Sequence, residues 1–354
     1  MTAAPWDPTY LDRNVIGTFM GRDALALAVS RLDLREDDAV LLPAYVCEEV
    51  VKPFARTCRI VLYDIRPELV VDPNVIDRML AADRRIKVAL FVNYFGFLQP
   101  HRQELKAICA ARNVVLIEDC AHSLLTDGSG ETGDLSIYSF RKILPLPDGG
   151  GLRINRAIGP MTSPSFYPSI FASALSAAIV LKSSLKLRTE ALSRAGLTKT
   201  TGNAVGGRKV TARHAAGDKV QRLLPLSAVS RYAMKRMRFD EIVRRRRDDY
   251  QFWQDLGART GRFTPVTPAL SAGVCPLGLV AIMPERDALR AQSLEEGLYL
   301  RVHWRLPALV GSEHRHSHAL SRLTVTLPLY PELNDRERDL LVRLLGAPSH
   351  AYAS

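Results

Sequence analysis

An acid that closes an apolar run and a lysine 23 residues later are the two residues of this chain best placed to do chemistry. The acid is Asp119, at the end of Val114-Val115-Leu116-Ile117-Glu118-Asp119, and the lysine is Lys142, at the end of Ser139-Phe140-Arg141-Lys142. An apolar run that stops in a carboxylate reads as a buried parallel strand presenting that group from its carboxyl end. Lys142 is followed by a proline-containing turn and then Asp148-Gly149-Gly150-Gly151. A strand-end carboxylate and a nearby turn lysine meet the needs of pyridoxal 5'-phosphate. The amine forms a Schiff base with the aldehyde, and the carboxylate keeps the pyridine nitrogen protonated so that the ring can take up carbanion electrons. Lys142 must lose a proton to attack, and the neighbouring Arg141 charge favours that loss. The plainer reading is a structural hydrogen bond for the Asp and an ordinary surface position for the Lys.

The pattern around these residues predicts the frame that positions them. Strand-like apolar runs fall at 39–42, 59–64, 87–95, 114–118, 135–140 and 150–154, with helical patterns at about 22–33, 46–57, 73–83 and 100–112. Strand–helix alternation implies an α/β fold with a mostly parallel sheet flanked by helices. Sites in such sheets lie at strand carboxyl ends, where Asp119 and the Phe95-Gly96 end of another run both fall. Residues 248–354 restart with helix, strand and helix patterns, which predicts a smaller C-terminal α+β domain. The expected division is a large domain over 1–240, carrying an insert over about 157–235, and a small domain over 241–354. At 354 residues and 47% hydrophobic, the chain is long enough to bury a sizeable core.

The order of the motifs resembles the DegT/StrS-type aminotransferases, fold-type I pyridoxal phosphate enzymes that mostly aminate sugars. The family's "ED-x-A", "SF…K" and acid-"GG" run is similar to EDCAHS, YSFRK and DGGG here. Its "G-x-x-AL" helix start is matched by Gly21-Arg22-Asp23-Ala24-Leu25. Its "GD-x-V-x-x-P" strand is matched by Asp37 to Pro43, its "YG" strand end by Phe95-Gly96, and its "LSLP-x-x-P" strand by Leu323 to Pro331. The similarity is close over 15–155 and looser over 238–347.

The resemblance implies roles position by position. Lys142 and Asp119 become the catalytic pair. Gly21, Arg22 and Asp23 open a helix that receives the cofactor phosphate, with Arg22 where relatives carry Thr or Ser. Ser139 is a second phosphate ligand, although the family sets it about two residues further from the lysine. His122 falls near the cofactor ring; a satisfied buried histidine is the other reading. Cys47 stands where relatives stack an aromatic on the ring, leaving Tyr45 as the candidate for that task or as a core tyrosine. Tyr94, His303 and Trp304 are implied substrate contacts. The family's inter-subunit "N-x-R" segment has no clean counterpart between 200 and 245, where Ser227 and Ser230 are the stand-ins. The implied reaction is amino transfer, with glutamate as donor, to a keto-sugar, nucleotide-linked, in polysaccharide, glycoconjugate or secondary-metabolite biosynthesis, by a homodimer. Amination of a cyclitol or natural-product carbonyl, and a retired member with a structural or membrane-surface role, are the alternatives.

Charge is distributed unevenly. The formal net charge is +11, yet residues 182–247 alone hold eighteen Lys/Arg and four Asp/Glu. The rest of the chain is therefore slightly acidic. Residues 198–217 read as a flexible loop, and Arg244 to Arg247 as the start of a helix. Three readings of the insert stay open: a solvated face with its apolar part in a dimer interface, binding of an acidic substrate, or peripheral membrane contact through 169–194. No nucleic-acid signature accompanies the charge, so nucleic acid is not expected as a partner. Cysteines 47, 58, 109, 120 and 275 show neither paired nor metal-ligand spacing, which suits a cytoplasmic location. The first fourteen residues lack the apolar core of a secretory signal. His314, His316 and His318 alternate, but without matching ligands an exposed loop is expected there rather than a metal site.

Overall fold

The computed structural model describes residues 15–159, 165–194 (backbone alone from 184) and 223–346. The loop expected over 198–217 lies outside the described residues. The first part of the chain alternates strands β1 (Val15–Thr18), β2 (Ala39–Pro43), β3 (Arg59–Tyr63), β4 (Ile86–Val92), β5 (Val115–Asp119), β6 (Leu135–Tyr138) and β7 (Gly150–Ile154) with helices α1 (Gly21–Ser30), α2 (Glu48–Ala55), α3 (Pro73–Ala82) and α4 (Arg102–Ala111). These strands form one seven-stranded sheet in the order β1-β7-β6-β5-β4-β2-β3. The β3–β2–β4–β5–β6 pairs are parallel, while β7 runs antiparallel to both β6 and β1. Each interior strand is an apolar run because helices cover both faces of a parallel sheet. Val40, Leu41, Leu42, Ile117 and Leu135 have no exposed surface at all. The N-terminal edge strand β1 has no counterpart in the sequence reading. Its four residues are too few for a period, and only its pairing with β7 makes it a strand.

The chain continues through α5 (Ser169–Arg194), α6 (Ala228–Met234) and the long α7 (Phe239–Thr260). A second sheet of β8 (Thr264–Pro265), β9 (Leu279–Ile282) and β10 (Thr324–Leu327) follows, with α8 (Arg286–Glu295), α9 (Arg315–Leu323) and α10 (Asp335–Gly346). Helix α7 serves two cores. Phe239 and Ile242 pack with the large sheet, whereas Tyr250, Trp253 and Leu256 pack with the small one. Between them Arg246 is fully buried, donating to the carbonyls of Pro276, Leu277 and Tyr330. The guanidinium is held there by three carbonyls, which tie the helix to the Pro276-Leu277 and Tyr330 segments flanking the small sheet.

The four consecutive arginines therefore do not form a substrate-steering patch. Arg244 pairs with Asp248 and Arg245 with Glu241, while Arg247 donates to the Ser271 and Val274 carbonyls. Successive helix residues point about 100° apart, so four in a row fan out to four different partners. The alternating histidines do not form an exposed loop either. They start α9, whose first turn is capped from another element by Asp64, which accepts from the backbone N–H of His316 and Ser317 and from the Ser317 hydroxyl. A cap supplied across more than two hundred residues leaves no local signal.

Candidate active site

Strand β5 delivers two acids to opposite sides, as the two-residue period of a strand requires. Glu118 has no exposed surface and accepts from Asn93 Nδ2 (2.8 Å) and from the backbone N–H of Gly130, Thr132 and Gly133. It anchors the loop after β5. Asp119 turns the other way, with 7% of its surface exposed. Its Oδ1 accepts from Ala121 N at 2.9 Å, and Oδ2 has no hydrogen-bond partner among the described residues. Burial pushes the Asp119 carboxyl up, against the Lys142 charge and the Ala121 N–H, which favour the ionised form.

Lys142 ends a single tight turn, Phe140–Lys142, that follows β6. Phe140 is buried under it and donates its N–H to Gly149 O at 3.1 Å. A side-chain carbon on Gly149 would lie 3.0 Å from Phe140, and one on Gly150 would strike the Met20 backbone, so the glycine run lets three chain segments cross. Asp148, also fully buried, accepts from the hydroxyls of Ser176, Ser227 and Ser230 and from Ser227 N. Ser227 and Ser230, the stand-ins for an inter-subunit contact, thus spend their hydroxyls within the chain. The Lys142 charge acts on Asp119, Cys47, His122 and His303, so groups from three separate segments converge on it.

His122 Nδ1 accepts from Phe95 N at 3.3 Å, which places the ring proton on Nε2. That Nε2 is buried with no partner among the described residues. Burial, then the Lys142 and His303 charges, hold His122 well below the ordinary histidine range, so the ring is neutral. Trp304 stacks on it, centroids 5.3 Å apart at 26°. His303 Nδ1 lies 2.8 Å from Thr326 Oγ1, and burial and Lys142 lower its pKa to about 3. Tyr45 and Tyr94 lie behind these rings. Tyr45 is fully buried and donates to the His303 carbonyl, and Tyr94 donates to Tyr45 O at 2.7 Å. Both act as a wall that fixes the His303-Trp304 segment, so Tyr45 offers no open face to a stacking ligand. Phe95, 6.1 Å from Trp304 and stacked, belongs to the same cluster. The sequence reading used it only as a strand end, because its left-handed backbone (φ 54°) has no propensity signal.

At the start of α1, Met20 sits against Gly149 in a parallel bridge, the Arg22 N–H has no partner among the described residues, and Asp23 turns back to accept from Met20 N. A side-chain carbon on Gly21 would lie 3.0 Å from Ser139 Cβ and 3.1 Å from Tyr138 O, so only glycine lets this helix end stand beside Ser139. The Arg22 guanidinium is directed to Glu49, 3.4 Å away. On the far side, a cleft of about 280 Å³ is lined by Tyr299, Arg301, His303, Thr326 and Glu332.

A model of the DegT/DnrJ/EryC1/StrS aminotransferase family matches residues 9–345. The chain belongs to that family. Among solved structures it is similar to the aminotransferase TlmJ from Streptoalloteichus hindustanus, with 20% identity, TM-score 0.66, and 94% of this chain and 85% of that one covered. A putative sugar aminotransferase from Streptococcus pneumoniae in its PMP form gives 16%, 0.67, 96% and 89%. Helicobacter pylori PseC, an aminotransferase involved in the biosynthesis of pseudoaminic acid, gives 12%, 0.66, 94% and 85%. At these identities the structural likeness speaks for the shared fold. No curated protein sequence matches the chain.

Proposed function

We propose that the protein is a pyridoxal phosphate-dependent aminotransferase that moves an amino group from glutamate to a keto-sugar, nucleotide-linked. The observation that carries the reading is the convergence of a buried carboxylate, a turn lysine and a neutral histidine with an orphaned Nε2–H on one point. The surroundings fit the cofactor. An open carboxylate oxygen on Asp119 suits a ring N–H, and the Nε2–H of His122 suits an oxygen acceptor. The Arg22 N–H at the start of α1, with Ser139 beside Gly21, suits a phosphate. Bound there, the cofactor supplies an aldehyde to carry the amino group and a pyridinium ring that withdraws electrons from the carbon losing its proton.

The chain's own residues then divide the work. Asp119 holds the proton on the ring nitrogen, and pairing with that cation reverses the burial penalty that raises its pKa alone. Lys142, once its Nζ is deprotonated, takes the proton from the donor's α-carbon and returns it to the carbon that receives the amine. Trp304 and His303 exclude water on one side. His303 also lines the cleft, and Arg301 at that cleft suits the diphosphate of a nucleotide-linked acceptor. A homodimer and the glutamate donor are part of the same proposal, supported by the family.

The test is direct. The purified protein should be yellow, and borohydride should fix a pyridoxyl group on Lys142, read by mass spectrometry. Label on a different lysine, or none, would overturn the assignment. Glutamate alone should bleach the visible band, and a nucleotide-linked keto-sugar should restore it.

A further inference from the structure

Arg141 points not to solvent chemistry of its own but to the end of α1. Its Nη1 donates to Met20 Sδ at 3.2 Å, and Met20 is the residue that caps α1. A thioether is a weak acceptor, and Arg141 has no carboxylate within salt-bridge distance among the described residues. The two arginines nearest in charge, Arg22 and Arg301, are each already paired, with Glu49 and Glu332. Both repel Arg141, and the opposing attraction comes from Asp148, which is committed to three serine hydroxyls. The second observation is Ser139. It is 7% exposed, its hydroxyl makes no hydrogen bond among the described residues, and Oγ lies 3.4 Å from where a side chain on Gly21 would begin. In a residue otherwise enclosed, that hydroxyl is left available to an entering acceptor.

From the Arg22 N–H, the Ser139 hydroxyl and the Arg141 guanidinium, we infer that Arg141 is the charged ligand of the cofactor phosphate. Arg22, engaged by Glu49, contributes its backbone N–H. The turn makes this arrangement possible. Only Phe140 and Arg141 separate Ser139 from Lys142, so one three-residue step supplies a phosphate hydroxyl, a phosphate cation and the reacting amine. A planar guanidinium meets two phosphate oxygens at once, which a hydroxyl in its place would not do.

The inference rests on the cofactor reading, and the experiment separates the two. Equilibrium titrations of apo-protein compare pyridoxal phosphate with pyridoxal, which lacks the phosphate, for wild type, Arg141→Met and Arg141→Lys. Arg141→Met should raise the Kd for pyridoxal phosphate roughly 10- to 100-fold, the range of a charged hydrogen bond, and leave that for pyridoxal unchanged. Arg141→Lys should recover part of the loss, and the phosphorus resonance of bound cofactor should shift in both variants. Equal weakening of both ligands would mean a structural role, and an unchanged Kd for the phosphate form would assign Arg141 elsewhere; either result overturns the inference. A wild type that binds neither ligand would overturn the cofactor reading itself.

Discussion

Asp119, His122 and His303 sit around one lysine, and burial governs all three. For an acid, burial favours the neutral form until a cation arrives. Asp119→Asn should therefore keep cofactor binding within a few-fold while lowering kcat by orders of magnitude, because an amide cannot hold the ring nitrogen protonated. Stopped-flow measurement of the glutamate half-reaction checks this, and a near-normal rate would remove Asp119 from the mechanism. For the histidines the sign is opposite. Each is neutral when folded and titrates near 6.5 when unfolded, so the unfolded chain binds more protons below that pH. Stability should be fully present above pH 6.5 and fall as pH drops toward 3, by at most about 1.4 kcal/mol per pH unit for each ring. His303→Gln should remove one histidine's share of that slope in urea unfolding across this range. An unchanged slope would mean His303 is charged in the folded protein.

At the scale of elements, strand β5 works because its two acids face apart. Asp119 is left open, while Glu118 is saturated by four donors that hold the loop over 130–133. Glu118→Gln would set an amide N–H against a backbone N–H in a fully buried site. It should cost about 1.5–3 kcal/mol of stability, measured as a lower urea midpoint. A midpoint equal to wild type would show that the loop needs no anchor. The latch at Asp148 is built the same way, a buried carboxylate fastening α5 and the start of α6 to the hairpin behind Lys142.

Over the whole molecule the unusual part is α5. Ala172 and Ser176 face the body, whereas Ile170 (71% exposed), Phe171 and Leu181 (61%) face outward. Ile170, Ala174, Ala177 and Leu181 form an i, i+4, i+7, i+11 stripe, an apolar face that a stable helix covers. Among the described residues no helix is long and apolar enough to cross a membrane. Of the readings of the insert, a dimer interface would place a second copy on this stripe and peripheral membrane contact would place it against lipid. If a second copy covers it, Ile170→Asp with Leu181→Asp should convert a dimer to a monomer in analytical ultracentrifugation without changing the far-ultraviolet spectrum. If mass is unchanged and sedimentation with anionic vesicles is lost instead, the stripe faces lipid.

The sequence by itself determined the parallel sheet, because buried strands and amphipathic helices differ in period and each announces itself locally. It also singled out Asp119 and Lys142, whose types and spacing limit the chemistry they can do, while Ser139 and His122 are marked by the resemblance to the family. Tertiary structure decided the remainder. Tyr45 and Arg22 sit beside the expected site in sequence, yet one became a wall and the other a surface ion pair, because their partners, His303 and Glu49, are remote in the chain. The four arginines, the histidine-led helix α9 and the Asp148 latch follow the same rule. A hydrogen bond is chosen by what folding brings within about 3 Å, and no local pattern encodes a neighbour two hundred residues away.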